Sequence, residues 1–344
     1  MREISSYNLP ELKEIIKEMG LPQFRATQIY EWLHVKLAES FDEMTNLDKN
    51  LRAKLSEEFA ISMPSISRKL VSKIDDTHKY LFEFADGECV ESVVMRYKYG
   101  NSICVSTQVG CAMGCKFCAS TKAGIVRDLT AGEILGQIYK AQKDIGERIS
   151  HVVLMGIGEP LANFDNVVKF LYMISDKNGL NIGQRNLSLS TCGIVPNIDR
   201  LSELDLQITL SISLHAPTDE LRSSMMPINN KYNIAELLSA CRRYVNKTGR
   251  RISFEYSLVR GVNDTPEHAE KLCEILKGIL CHVNLIPVNP IDEGGYEKSD
   301  KKSIETFKNI VESHKITATV RRKLGADINA ACGQLRRESK QMQG

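Results

Sequence analysis

From Asn101 onward the chain alternates short β-rich runs with helical stretches, and that alternation limits its fold more than any other feature. The runs fall at 103–105, 152–155, 187–189, 208–212, 252–256 and 283–286. Strands that follow one another in parallel need a long crossover between them, and a helix supplies it. The six runs with helices between them therefore predict an α/β protein built on a parallel sheet. Right-handed crossovers curl such a sheet, so the expected architecture is a partial (β/α)6, TIM-like barrel with ligands gathered at the C-terminal strand ends. Two helix starts have local support: Thr130 and Glu133 stand at capping-box spacing, and Thr265-Pro266 sets a cap ahead of a first-turn proline.

Residues 1–60 follow a different pattern. Leu12, Ile15, Ile16 and Met19 recur at helical spacing, and Ile29, Tyr30, Trp32 and Leu33 resume it after a Gly20-Leu21-Pro22 break, which predicts a small helical accessory domain. Over 61–100, the runs 80–84 and 90–95 flank an Asp86-Gly87 turn and predict a β-hairpin linking the two domains. The barrel is expected over 101–330, followed by a C-terminal segment at 331–344.

With 344 residues, 42% apolar and 26% charged, the chain can bury a large core, which excludes a wholly disordered protein. Met1-Arg2-Glu3-Ile4-Ser5 has no apolar signal stretch, and no run reaches the ~20 apolar residues that cross a bilayer, so the expectation is a cytoplasmic protein with no membrane partner. Ten cysteines in a reducing compartment point to metal ligation or thiol chemistry rather than a disulfide framework. A formal charge of +2 does not by itself announce a nucleic-acid partner; local basic clusters must carry that argument.

Cys111-Ala112-Met113-Gly114-Cys115-Lys116-Phe117-Cys118 is a C-x3-C-x2-C triplet just beyond the first barrel run. Three thiolates so close in sequence can reach one metal centre. On a four-iron cubane they leave one iron open, whereas an electron-carrier cluster or a structural zinc site is closed by a fourth ligand. An open iron can take the amino and carboxylate groups of a methionine moiety. A zinc knuckle completed from elsewhere is the alternative.

The triplet and its position resemble the signature of the radical S-adenosylmethionine superfamily. Within it, Val105-Ser106-Thr107-Gln108-Val109-Gly110-Cys111, Met155-Gly156-Ile157-Gly158-Glu159-Pro160, Ser213-Leu214-His215-Ala216-Pro217, Met226-Pro227-Ile228-Asn229 and Ala330-Ala331-Cys332-Gly333-Gln334-Leu335 resemble the dual-specificity RNA methyltransferases that modify adenine carbon-2. The likeness extends to Phe24-Arg25-Ala26-Thr27-Gln28-Ile29. It implies one 4Fe-4S cluster per subunit on Cys111, Cys115 and Cys118, and two S-adenosylmethionine molecules per turnover. Gly158, Glu159, Ser190, Ser213, Leu214, His215 and Asn289 would line the cofactor site, Leu214 through its backbone. Read without the resemblance, Gly156 to Pro160 also suits a turn with a proline stop, Ser190, Ser213 and Asn289 suit strand-end caps, and His215 suits a satisfied core histidine.

Cys332, set among Ala330, Ala331 and Gly333, resembles the family's methyl-carrying cysteine, and Cys104 its resolving partner, the two ending a turnover as a disulfide. Adenine carbon-2 is not a nucleophile, so a methyl group reaches it only by a radical route. The family's general base matches Glu91, which shares a strand face with Val93 and Met95 and is otherwise readable as a solvated hairpin glutamate. Cys89, Cys192, Cys241, Cys273 and Cys281 match no ligand pattern; Cys241 and Cys273 fall within helical stretches as core.

Arg321-Arg322-Lys323 and Arg336-Arg337 bracket the Cys332 segment, as phosphate neutralisation would require. Lys13, Lys17, Arg25 and Lys36 add positive charge to the helical domain. The resemblance implies 23S rRNA and tRNA as substrates, with a reductase of flavodoxin or ferredoxin type as electron donor; the chain is read as a monomer. Sister enzymes that methylate carbon-8 of the ribosomal adenine, and a non-catalytic zinc-dependent RNA-binding protein, are the competing readings.

Overall fold

A computed structural model describes residues 1–122, 124–288 and 296–330 of the chain. Its N-terminal unit packs α1 (Leu9–Glu18), α2 (Phe24–His34) and α3 (Lys49–Glu58). Asn8 caps α1 in a reciprocal box with Glu11, and Leu12, Ile15 and Ile16 face inward against Ala26, Ile29, Tyr30 and Leu33 of α2. The helical spacing in the sequence is thus the packing stripe of two real helices.

The rest is organised by one ten-stranded sheet: β1 (Ser65–Val71), β2 (His78–Glu83), β3 (Cys89–Tyr97), β4 (Gly100–Cys104), β5 (Ile149–Leu154), β6 (Leu187–Thr191), β7 (Thr209–Ser213), β8 (Ile252–Leu258), β9 (Cys281–Pro287) and β10 (Thr317–Val320). The ten strands pair in chain order, and the Gln108–Gly110 and Ile125–Asp128 strands that intervene between β4 and β5 form a separate two-stranded sheet. From β4 to β10 every pairing is parallel, and from β1 to β4 every pairing is antiparallel. Helices α4 (Ala131–Ile145), α5 (Phe164–Ser175), α6 (Val195–Ser202), α7 (Asp219–Met225), α8 (Ile234–Thr248), α9 (Pro266–Leu276) and α10 (Lys301–Ser313) fill the connections. Thr130 caps α4 in a box with Glu133, and Thr265 caps α9 ahead of Pro266, as expected. The fold is the partial, TIM-like α/β barrel with an N-terminal helical unit.

Two parts of the sheet differ from the sequence expectation. The chain over 65–97 is a three-stranded antiparallel extension of the barrel wall, bonded to it along Val93↔Cys104 and Val94↔Ile103. A seventh parallel strand, β10, pairs with β9; its Thr-Ala-Thr-Val run is too short and polar to stand out.

Strand faces explain why the barrel encloses a site rather than a packed core. Leu187, Leu189, Leu210, Ile212, Ile252, Phe254 and Tyr256 are buried against the helices. The alternate positions, Ser188 and Ser190, Ser211 and Ser213, Ser253, Glu255 and Ser257, form the inner face and line up in register across β6, β7 and β8. Parallel strands usually read as continuous apolar runs; these keep polar groups inside. Among the described residues no helix is long and apolar enough to cross a membrane.

Candidate active site

The inner face opens at the C-terminal strand ends into a cavity of 840 Å³, within the size range of small-molecule sites. Its wall includes Cys104 from β4, Gly158 and Glu159 after β5, Ser190 from β6, Ser213 at the end of β7 and His215 just beyond it, and the triplet Cys111, Cys115 and Cys118. The structure thus brings these residues together on one cavity wall. Leu214 is buried behind the wall, its N–H donating to the Glu255 carbonyl (3.1 Å) and its carbonyl accepting from Arg222 (3.2 Å). Asn289, Cys332 and Arg336-Arg337 lie outside the described residues, and with Cys332 so does its pairing with Cys104.

The segment that carries the triplet leaves β4 and is fixed by Ser106. The Ser106 hydroxyl donates to the Glu91 carbonyl (2.7 Å) and accepts from Ile157 N–H (2.9 Å), while its backbone exchanges two bonds with the Gln137 amide. Gln108 then accepts from Glu159 N–H (2.8 Å) and donates to Asp128 (2.7 Å), joining the cysteine segment to the loop after β5. Gly158 makes that join possible: its φ is +110°, and a Cβ there would lie 2.8 Å from the Gln108 nitrogen. Cys111 is held by its N–H to Gly124 (2.9 Å), and Lys116 N–H donates to the Met225 carbonyl at the end of α7 (3.0 Å).

Burial pushes the Cys111 thiol up to about 11 and the Cys115 thiol to about 12, with Cys118 adding repulsion in both cases. A cationic metal centre would reverse this by stabilising the thiolates. One further observation fits an iron–sulfur cubane. The buried hydroxyl of Ser120, two residues past Cys118, makes no hydrogen bond among the described residues and can serve a cluster sulfur. The three thiols share one cavity wall.

Glu159 is anchored by its carboxylate, which accepts from Leu161 N–H (2.9 Å) and Cys192 N–H (2.7 Å), and burial raises its pKa. His215 has a left-handed φ of 59°, its ring lies edge-on to Phe117 at 4.8 Å, and its Nδ1 accepts from Ser257 N–H (2.9 Å). Burial lowers its pKa to about 3, so the ring is neutral, and with Nδ1 accepting, Nε2 carries the proton. Below them Glu255 accepts from Ser253 (2.9 Å) and Asn284 (2.7 Å), and Thr319 and His282 close the hydrogen-bond ring across β8, β9 and β10.

On the opposite edge Cys104 packs with Val93 and Met95, and Leu324 and Ala330 cover them. Glu91 lies on the same strand, 2% exposed, 3.0 Å from the fully buried ammonium of Lys79. Lys79 also donates to the Asn329 carbonyl (2.9 Å), three residues ahead of Cys332. Asp327 accepts from Ser72 (2.6 Å) and Lys73 N–H (2.8 Å), and Asp75 from Gly325 N–H (2.8 Å), so residues 325–330 are stapled to the 72–79 hairpin. Sequence reasoning placed Glu91 among apolar neighbours and missed its cation. Two strands that alternate polar and apolar residues do not say which charges meet across them. It also missed Arg222, a fully buried guanidinium beside the cavity. Arg321, Arg322, Lys323, Lys298 and Lys301 line the mouth.

An open parallel barrel with three thiols on the loop after its first parallel strand is the arrangement of the radical S-adenosylmethionine enzymes. Residues 105–274 match the family profile described as Radical SAM superfamily, and residues 3–61 match the Ribosomal RNA large subunit methyltransferase N-terminal domain. A protein of Clostridium novyi (strain NT) named "Probable dual-specificity RNA methyltransferase RlmN" is 58% identical over 98% of this chain and 98% of its own length. Its namesake from Clostridium perfringens (strain 13 / Type A) is also 58% identical, over 98% and 97%. The crystal structure of a radical SAM methyltransferase from Sphaerobacter thermophilus superposes with a TM-score of 0.93 at 42% identity, covering 97% of this chain and 99% of that one. The chain belongs to the RlmN family of dual-specificity RNA methyltransferases.

Proposed function

We propose that this enzyme methylates carbon-2 of an adenine in 23S rRNA and in tRNA, using Cys332 as the methyl carrier. One observation carries the reading: the cysteine triplet and Cys104 open on the same cavity, and Ala330, two residues ahead of Cys332, packs on the apolar cluster that contains Cys104. The family name shared with the clostridial relatives favours carbon-2 over carbon-8.

Cys111, Cys115 and Cys118 would hold the cluster, one per subunit. When bound, it supplies the electron that cleaves S-adenosylmethionine to a 5′-deoxyadenosyl radical. Gly158, Glu159, Ser190, Ser213, Leu214, His215 and Asn289 position the cofactor; the neutral ring of His215 offers its Nε2–H as a donor without adding charge. Cys332 would accept a methyl group that one S-adenosylmethionine supplies, and a second would supply the radical that takes hydrogen from that methyl group. The sulfur-bound carbon then bonds to adenine carbon-2. Release would require loss of one electron, which the oxidised cluster could take back, and of one proton, which Glu91 would accept, with Cys104 attacking the Cys332 sulfur to free the methylated base and leave a Cys104–Cys332 disulfide. The staple between residues 325–330 and the 72–79 hairpin supports delivery of the Cys332 segment to that edge.

The basic mouth suits phosphate, and residues 1–60 are proposed as the surface that grips folded RNA, ahead of the 61–100 antiparallel extension, the 101–330 barrel and the 331–344 carrier segment. A flavodoxin- or ferredoxin-type reductase, a monomeric state and a cytoplasmic setting complete the proposal. The test is anaerobic turnover with S-adenosylmethionine, a reductant and unmodified RNA, read by mass spectrometry. The expected product is 2-methyladenosine, lost in Cys332→Ala; an 8-methyladenosine product, or unchanged turnover in Cys332→Ala, would overturn the assignment.

A further inference from the structure

Arg222, on α7, is 0% exposed, and its guanidinium donates to the carbonyls of Cys192 (2.7 Å), Ser213 (3.2 Å), Leu214 (3.2 Å) and Tyr232 (3.4 Å) and to the side-chain oxygen of Asn229 (2.9 Å). Each of these acceptors is neutral. Among the described residues no carboxylate lies within ion-pair distance of it; the nearest link to one runs through Asn229, whose amide donates to exposed Asp219 (3.0 Å). Burying a full charge costs several kcal/mol even after relaxation, so an arginine that meets only neutral dipoles is out of place unless an anion enters its field.

The cysteine triplet lies in the surroundings of Arg222. Cys192, whose carbonyl takes the shortest bond from Arg222, packs in one apolar cluster with Cys115, Met225 and Met226. The last residue of α7, Met225, accepts the N–H of Lys116, which follows Cys115 directly. A 4Fe-4S core on three thiolates is an anion, and gains a further negative charge when it takes an electron. Net charge is one of the levers that set the potential of such a group.

We propose that Arg222 is the fixed counter-cation of the cluster site, raising the reduction potential of the iron–sulfur group by favouring its more negative, reduced form. The inference rests on the cluster assignment made above. The short hydrogen bonds also tie the ends of β6 and β7, so a purely structural role must be separated from an electrostatic one.

The separation comes from anaerobically prepared, cluster-loaded wild type, Arg222→Gln and Arg222→Lys, titrated reductively without S-adenosylmethionine and followed by electron paramagnetic resonance. In Arg222→Gln the equilibrium constant for one-electron reduction is expected to fall about tenfold or more, ~59 mV in midpoint. Arg222→Lys, which keeps the charge and loses two donors, is expected to stay within about threefold of wild type. A Gln variant within that same range of wild type, or a Lys variant that falls as far as the Gln variant, would overturn the proposal. If the Gln variant cannot hold a cluster, the Lys variant decides: an unmoved midpoint supports the charge role, and a tenfold fall refutes it. Wild-type protein that binds no iron–sulfur group would overturn the cluster assignment together with this inference, whereas a loaded wild type with an unmoved Gln variant overturns the Arg222 role alone.

Discussion

Replacing Lys79 by methionine removes the cation from a pair in which the lysine is 0% and Glu91 2% exposed, with 3.0 Å between them. Two contributions follow. Taking one partner from a buried ion pair costs about 3–5 kcal/mol, because the remaining carboxylate keeps its desolvation penalty. The Asn329 carbonyl also loses its donor, but Asn329 is exposed and water can replace the bond, so that contribution is at most ~1 kcal/mol. The first dominates, and it is a large share of the ~5–15 kcal/mol that holds most proteins folded. Lys79→Met with Glu91→Leu removes both charges, and is expected to recover at least about 2 kcal/mol of the loss although it carries an additional substitution. Urea unfolding of wild type, both single variants and the double variant, run in parallel, measures the coupling. A Lys79→Met loss below ~1 kcal/mol, or a double variant no more stable than Lys79→Met, would refute the view that the pair is desolvated and mutually dependent.

Burial lowers the pKa of His215 to about 3 from 6.5, so its contribution to stability is complete above pH 6.5 and is lost as pH falls toward 3. Between pH 6.5 and about 5 that loss is roughly 2 kcal/mol; His215→Gln is expected to flatten the acid slope of urea stability by that amount, and an unchanged slope contradicts the buried neutral ring. Gly158→Ala is expected to lose about 1–3 kcal/mol and to weaken S-adenosylmethionine binding in calorimetry, because a Cβ meets the Gln108 nitrogen at 2.8 Å from a left-handed backbone; wild-type binding would show that the Gln108 join does not shape the pocket. Deleting residues 1–60 is expected to weaken RNA binding about tenfold or more in filter assays while cofactor cleavage persists; equal RNA affinity would remove the gripping role from that unit.

Much of this architecture was legible in the sequence because period and spacing carry it. The runs at 187–189 and 208–212 alternate serine or threonine with leucine or isoleucine, and the structure turns the serines inward and buries the apolar residues. Capping residues such as Thr130 and Thr265 act locally, so their spacing suffices to place a helix start. The cysteine triplet is similarly local. What escaped notice is long-range: Lys79 meets Glu91 only because β2 and β3 pair in one register, and Asp327 reaches Ser72 across 255 positions. Arg222 was hidden for a further reason. Its partners are mostly backbone carbonyls, which every residue possesses, so no side-chain pattern announces the site.

The most direct measurement is quantification of 2-methyladenosine, by mass spectrometry of digested 23S rRNA and tRNA, in cells lacking the gene and in cells restored with wild type or with Cys332→Ala. The account predicts that the modified nucleoside disappears from both RNA classes on deletion, returns with wild type and stays absent with Cys332→Ala. Its persistence in both classes after deletion, or its return with Cys332→Ala, would contradict the claim that this barrel delivers a methyl group to adenine through a carrier thiol.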